Sequence, residues 1–276
     1  MTDIVTSTAP IAAAFTRARA ERRVALIPYV MSGYPDEAAS EEIAVALGQA
    51  GADLLELGMP FSDPLADGAT IQHASQRALE QGMSARRTLA LAARIHARIA
   101  TPLVLMGYYN PILNSGLERF TADAAEAGVA GLIVPDLPPE ESEPLRSAAA
   151  AHGIELNFLV TPTSPDERIA QVAEAAGKTG GGFVYCVALS GVTGARDRLP
   201  DALPAFIARV RAQVSVPLAV GFSVSRPEHI AQIGQIADGA VVASALVNAV
   251  DAVAPDQRVT TATEFLRELQ SAANLS

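Results

Sequence analysis

A chain of 276 residues, half of them hydrophobic and with mean hydropathy +0.24, holds enough apolar material for one large core, and its single cysteine, Cys186, rules out an internal disulfide. Its 20 basic and 30 acidic residues leave a formal charge of −10, which argues against nucleic-acid binding, because that needs a basic face. Residues 1–10 lack the basic-then-apolar order of a secretory signal and no apolar run reaches the ~18–20 residues of a membrane helix, so a cytoplasmic protein is expected.

In chain order, an amphipathic helix over 11–22 precedes a first apolar strand at 24–30. A helix over 36–50 leads to a strand at 53–57, then a long proline-stiffened loop, a helix over 85–99 and a strand at 103–106. The pattern repeats as helix 117–127, strand 131–134, helix 139–152 and strand 155–160. It ends with helix 164–176, strand 182–187, helix 203–212, strand 217–220, helix 226–233, strand 239–242 and a short helical segment at 245–250. Ser164 before Pro165 and Glu167, and Ser225 before Pro227 and Glu228, have the spacing of helix starts. Gly51, Gly128, Gly153 and Gly177 sit where helices should stop.

Most strands are continuous apolar runs, as expected of parallel strands buried on both faces. Strand and helix alternating through eight repeats predict a closed (β/α)8 barrel with one extra N-terminal helix. No linker divides the chain, so residues 1–276 are read as a single domain with its core at about 11–250. The first strand is not followed by GxGxxG, which weakens a dinucleotide-binding alternative.

In such barrels the reacting groups stand at the carboxyl ends of the strands. Glu56, between Leu55 and Leu57, is a carboxylate inside an apolar strand, either a satisfied structural group or a reactive one. The loop that follows supplies a second carboxylate, Asp67, and two carboxylates in different surroundings are what general acid and base work requires. Gly221, Ser223, Ala243 and Ser244, at the ends of the last two strands, suit backbone binding of a phosphate, although small residues there serve packing equally well. The Ser190–Gly194 loop, with Thr193, suits a lid.

Every basic residue except Lys178 is arginine, and Lys178 precedes the sixth strand, at the opposite end of the barrel. A Schiff base with a substrate at the strand ends is therefore unavailable. His73, His96, His152 and His229 end no strand, so a zinc cluster is not expected. Tyr185 is either core or directed into the barrel mouth. Proton transfer by Glu56 and Asp67 on a phosphorylated substrate remains.

The run Glu56-Leu57-Gly58-Met59-Pro60-Phe61-Ser62-Asp63-Pro64-Leu65-Ala66-Asp67-Gly68, continued through Ile71-Gln72, resembles the second strand and loop of tryptophan synthase α subunits. Tyr185 with Ser190-Gly191-Val192-Thr193-Gly194-Ala195, Pro135-Asp136-Leu137-Pro138 and Tyr108-Tyr109-Asn110-Pro111 are similar to further stretches of that family, collinear from about residue 11 to 250. The resemblance implies cleavage of indole-3-glycerol phosphate to indole and glyceraldehyde 3-phosphate, with Glu56 protonating indole C3 and Asp67 facing charge at the indole N–H. It implies an indole pocket lined by Tyr29, Met106 and Tyr108, and a lid closed by Thr193 on Asp67. It further implies no metal or cofactor in this chain. Its expected partner is a pyridoxal-phosphate-dependent β subunit in an α2β2 heterotetramer, met through Asp63, Asn110 and Pro111.

Departures from the family are Ser223 for a usual glycine, Ala243 for another and Ala69 for a proline. The residues also leave open a free-standing lyase that needs no β subunit, and a non-enzymatic binding role.

Overall fold

The computed structural model describes residues 9–178, 182–188, 199–221 and 224–274. Eight parallel strands close on themselves in sequence order: β1 (Ala25–Met31), β2 (Leu55–Gly58), β3 (Leu103–Met106), β4 (Val129–Ile133), β5 (Glu155–Val160), β6 (Val184–Val187), β7 (Leu218–Gly221) and β8 (Gly239–Val242), with β8 pairing back onto β1. The expected (β/α)8 barrel is thus the fold, and the helix Pro10–Ala20 is the extra N-terminal element.

Alternation along each strand separates two apolar layers. Leu26, Val30, Leu55, Leu57, Leu103 and Leu105 point outward into the shell of helices. Ile27, Leu54, Val104, Ile133, Phe183 and Val241 point inward and fill the barrel. The N-terminal helix closes the floor: Ile11 and Phe15 are buried against the interior, and the Phe15 ring lies 5.7 Å from that of Phe183, itself 6.4 Å from Tyr185. Burying side chains of this size is worth about 1.5–3 kcal/mol each. Charge fixes the same helix in place. Asp53, fully buried, accepts Leu26 N–H at 2.9 Å and the Arg23 guanidinium at 2.5 and 2.8 Å, with Arg17 at 3.3 Å. Asp238 repeats the device beside β7, accepting Leu218 N–H at 2.8 Å together with Arg19 and Arg211. The floor is therefore packed and pinned.

Several boundaries differ from the sequence reading for local reasons. β6 begins at Val184 because Phe183 N–H donates to the Asn157 side chain (2.8 Å) and not to a ladder carbonyl. β4 begins at Val129, two residues early, where a register irregularity opposite Leu103 and Val104 takes up the extra length. Ser164 and Ser225 do not cap helices. Ser164 Oγ accepts Thr161 N–H at 3.0 Å, closing the preceding turn, and the helix Asp166–Gly177 starts behind Pro165. Ser225 N–H donates to His229 Nδ1 at 3.3 Å. Gly51, Gly128 and Gly153 end helices at positive φ, whereas Gly177 is the last helical residue and Lys178 the cap. Three helices went unread: Ala69–Glu80, Tyr109–Ser115 and Arg258–Gln270. None has a side-chain cap to announce it. Among the described residues no helix is long and apolar enough to cross a membrane.

Candidate active site

The open end of the barrel holds a cavity of about 560 Å³. Its wall is built from inward residues of successive strands: Tyr29 from β1, Glu56 from β2, Met106 from β3, Ile133 from β4, Leu159 from β5 and Tyr185 from β6. Gly221, Ala243 and Ser244 close the circle at β7 and β8, and Asp67 enters from the loop over β2. The strand periodicity dictates this. Residues 54, 56 and 58 share one face of β2, and the loop turns back at Pro64, whose carbonyl accepts Asp67 N–H at 3.1 Å.

Two glycines make room for the aromatic wall. A Cβ on Gly58 would fall 2.0 Å from the Tyr29 hydroxyl, and one on Gly221 would fall 2.4 Å from the Tyr185 ring. Each tyrosine therefore leans across the neighbouring strand, and Tyr29 Oη comes within 3.8 Å of Met31 Sδ. The result is an apolar slot with flat walls beside Glu56.

The two carboxyls are electrostatically distinct. Glu56 is 1% exposed and its Oε2 has no hydrogen-bond partner among the described residues. Burial, with the Asp67 charge adding to it, pushes Glu56 up to about 8, so it carries its proton at neutral pH. Asp67 is raised by burial only to about 6, because a hydrogen bond from the Tyr108 hydroxyl favours its ionised form. At pH 7 one group is a neutral acid and the other an anion, both facing the same cavity. The surrounding phenols are held neutral: burial and these two carboxyls raise Tyr29 and Tyr185 well above the ordinary tyrosine value.

Of the residues read from the sequence, Tyr29, Glu56, Asp67, Met106, Tyr185, Gly221, Ala243 and Ser244 meet in the cavity. Tyr108 stands behind loop two: its hydroxyl accepts Ala66 N–H at 3.0 Å and its ring stacks on Phe61 at 5.2 Å. Thr193, Gly194 and Ser223 lie outside the described residues. Asp63 and Asn110 are exposed and Pro111 is half-buried, all on loops or a helix start at the open end. Lys178 caps its helix at the floor and donates to Glu174 at 2.6 Å, away from the cavity. Among the described residues no three His, Cys, Asp or Glu side chains are grouped to hold a metal ion.

Sequence reasoning passed over Ile133 and Leu159, which inward alternation alone could have located, and Thr161 just beyond β5. The helix start read after the eighth strand as suited to an anion is the first turn of the helix Ser244–Asp251. Ala243, at φ −113 and ψ −88, precedes that helix without any side-chain cap, so its opening N–H groups are free of intrahelical or cap partners.

A family model described as Tryptophan synthase alpha chain matches residues 15–274. The tryptophan synthase alpha chain of Roseiflexus sp. (strain RS-1) is 52% identical over 261 residues, covering 94% of this chain and 98% of that one. That of Chloroflexus aurantiacus is 51% identical over 263 residues, covering 95% and 97%. Among solved structures, tryptophan synthase of Mycobacterium tuberculosis superposes with a TM-score of 0.88 at 38% identity, covering 98% of this chain and 100% of that one. The alpha chain from Legionella pneumophila subsp. pneumophila gives 0.86 at 32%, covering 97% and 98%.

Proposed function

The chain belongs to the tryptophan synthase alpha chain family, and from that premise we propose that its barrel mouth performs the carbon–carbon lyase reaction on indole-3-glycerol phosphate, with Glu56 and Asp67 as the working pair. The indole ring lies in the slot between Tyr29, Met106, Leu159 and Tyr185. Glu56, neutral at pH 7, gives its proton to indole C3, and the ring nitrogen takes up the positive charge. Asp67, ionised at the same pH, faces that charge. The bond from C3 to the side-chain carbon then breaks, and its electron pair returns to the ring and restores aromaticity. The hydroxyl on the departing carbon yields its proton to the Glu56 carboxylate as the aldehyde forms. Glu56 is thereby reset, and indole and glyceraldehyde 3-phosphate are released with no water consumed. Protonation makes indole the leaving group, so neither a Schiff base nor a cofactor of this chain's own is called for. The phosphate sits at Gly221, Ser223 and the uncapped first turn of the helix Ser244–Asp251, where N–H groups and the helix dipole favour an anion. Thr193 and Gly194 belong to the covering loop.

The observation that carries this reading is the split of two carboxyls in one apolar cavity into a neutral acid and an anion. The partner is a pyridoxal-phosphate-dependent β subunit that consumes the indole, in an α2β2 assembly. Among the described residues two large hydrophobic side chains stand exposed, Leu65 at 94% and Leu113 at 50%. Leu65 lies on the loop that carries Asp63 and Leu113 in the helix Tyr109–Ser115 that carries Asn110 and Pro111, which suits docking of that subunit there. The lone buried thiol Cys186, raised by burial to about 12, fits a reducing cytoplasm. The whole chain is taken as one barrel domain.

Glu56→Gln tests the assignment. It keeps the shape of the side chain and removes the transferable proton. Indole release should fall by at least about 10³-fold while binding of indole-3-glycerol phosphate stays within a few fold. Turnover close to the parent chain would refute the role of Glu56.

A further inference from the structure

Asp67 stands on a loop, and a loop carboxylate contributes to catalysis only as far as it is held in place. All three backbone groups around it that could wander are taken. Ala66 N–H donates to the Tyr108 hydroxyl at 3.0 Å, Asp67 N–H to Pro64 C=O at 3.1 Å, and Asp67 C=O accepts from Gln72 Nε2 at 2.8 Å. The two side-chain anchors rest on regular structure. Gln72 is in the first turn of the helix Ala69–Glu80, and Tyr108 follows β3. Tyr108 is 4% exposed and stacked on Phe61, whose own backbone N–H and C=O are both bonded to Ser75 Oγ at 3.0 Å. A phenol has one proton to give and can still accept. Accepting from Ala66 leaves the Tyr108 O–H free to act on the Asp67 carboxylate, whose ionised form it favours.

We propose that Tyr108 and Gln72 are positioning residues for Asp67: they grip the peptide on either side of it. Tyr108 thus acts through the loop and not as a wall of the indole slot. The proposal rests on the reading of Asp67 as the anion that faces the indole nitrogen.

The test uses Tyr108→Phe, which keeps the ring stack, and Gln72→Leu at an exposed helical position. The Asp67 carboxyl is titrated by ¹³C NMR in the substrate-free chain, and indole formation from indole-3-glycerol phosphate is measured alongside. Tyr108→Phe should titrate Asp67 at higher pH than the parent chain, and Gln72→Leu should leave that titration where it was. Tyr108→Phe should lower kcat about tenfold or more, as loss of a hydrogen bond at a charged group does, and Gln72→Leu, which loses a neutral one, about three- to tenfold, each with KM within about threefold. In Tyr108→Phe the acidic limb of the rate profile should move upward with the titration. An Asp67 titration unmoved in Tyr108→Phe overturns the role of its hydroxyl. Parent-like kcat in Gln72→Leu overturns that of Gln72. Should the parent chain release no indole at all, the reaction assigned to Asp67 fails, while the NMR titration still decides whether Tyr108 holds the carboxylate.

Discussion

A neutral glutamic acid inside a barrel strand costs stability in a way that can be measured. In an unfolded chain a glutamate ionises near 4.5, but at Glu56 burial and the Asp67 charge raise that to about 8. The folded value lies above the unfolded one, so the ionised form is disfavoured by folding. The stability of the native chain is therefore fully present below about 4.5 and drains away as pH climbs to about 8, beyond which it levels. Integrating between pH 5 and pH 8.5 gives a loss of at most about 4 kcal/mol from this one group. Glu56→Gln cannot ionise and escapes the loss. Whatever fixed cost its amide brings in an apolar cavity is the same at both pH values. Urea unfolding of the parent chain and of Glu56→Gln at pH 5 and pH 8.5 isolates the effect, because every other titrating group is shared. The variant's stability relative to the parent should improve by several kcal/mol on going to the higher pH. A difference that does not change with pH would mean that Glu56 is ionised in the fold, and the acid role would fall with it.

Further outcomes follow from the same geometry. The profile of kcat/KM against pH should be bell-shaped, falling below about 6 as Asp67 is protonated and above about 8 as Glu56 loses its proton. In Asp67→Asn the Glu56 titration, followed by ¹³C NMR, should move downward, since one of the two causes that raise it is gone; an unmoved titration would separate the pair. At the floor, Glu155 is buried with neither carboxylate oxygen bonded among the described residues and is raised by burial to about 7. Glu155→Gln should gain about 1–2 kcal/mol over the parent between pH 5 and pH 8 in the same urea experiment, without altering kcat. Gly58→Ala sets a Cβ against the Tyr29 hydroxyl and should cost about 1–3 kcal/mol of stability while raising KM, both partly restored by adding Tyr29→Leu.

How far these features were legible in the sequence depended on whether they left a local signal. The eight strands did, because a parallel strand buried on both faces must be an unbroken apolar run, and Glu56 was conspicuous as the one acid within such a run. Asp67 could be named from its loop and from the resemblance, but its ionised state could not, since that is set by Tyr108, 41 positions away in chain order. The helix Ala69–Glu80 was hidden behind Gly68, an N-cap with no side chain to mark a start, and with it went Gln72 and Ser75 as anchors. The late start of the β6 ladder was equally hidden, because the competing acceptor, Asn157, belongs to another strand. Glu155, at the start of its strand, is buried in the fold with no signal in the sequence to mark it.

The most direct test of the whole account is indole formation from indole-3-glycerol phosphate by the purified chain in the presence of EDTA, alone and with a tryptophan synthase β subunit added. Slow release that is indifferent to EDTA and rises on adding the β subunit is the outcome expected of an alpha chain whose acid is Glu56 and whose anion is Asp67. No indole under either condition, from a chain that is folded and binds the substrate, would contradict the reaction assigned to this cavity.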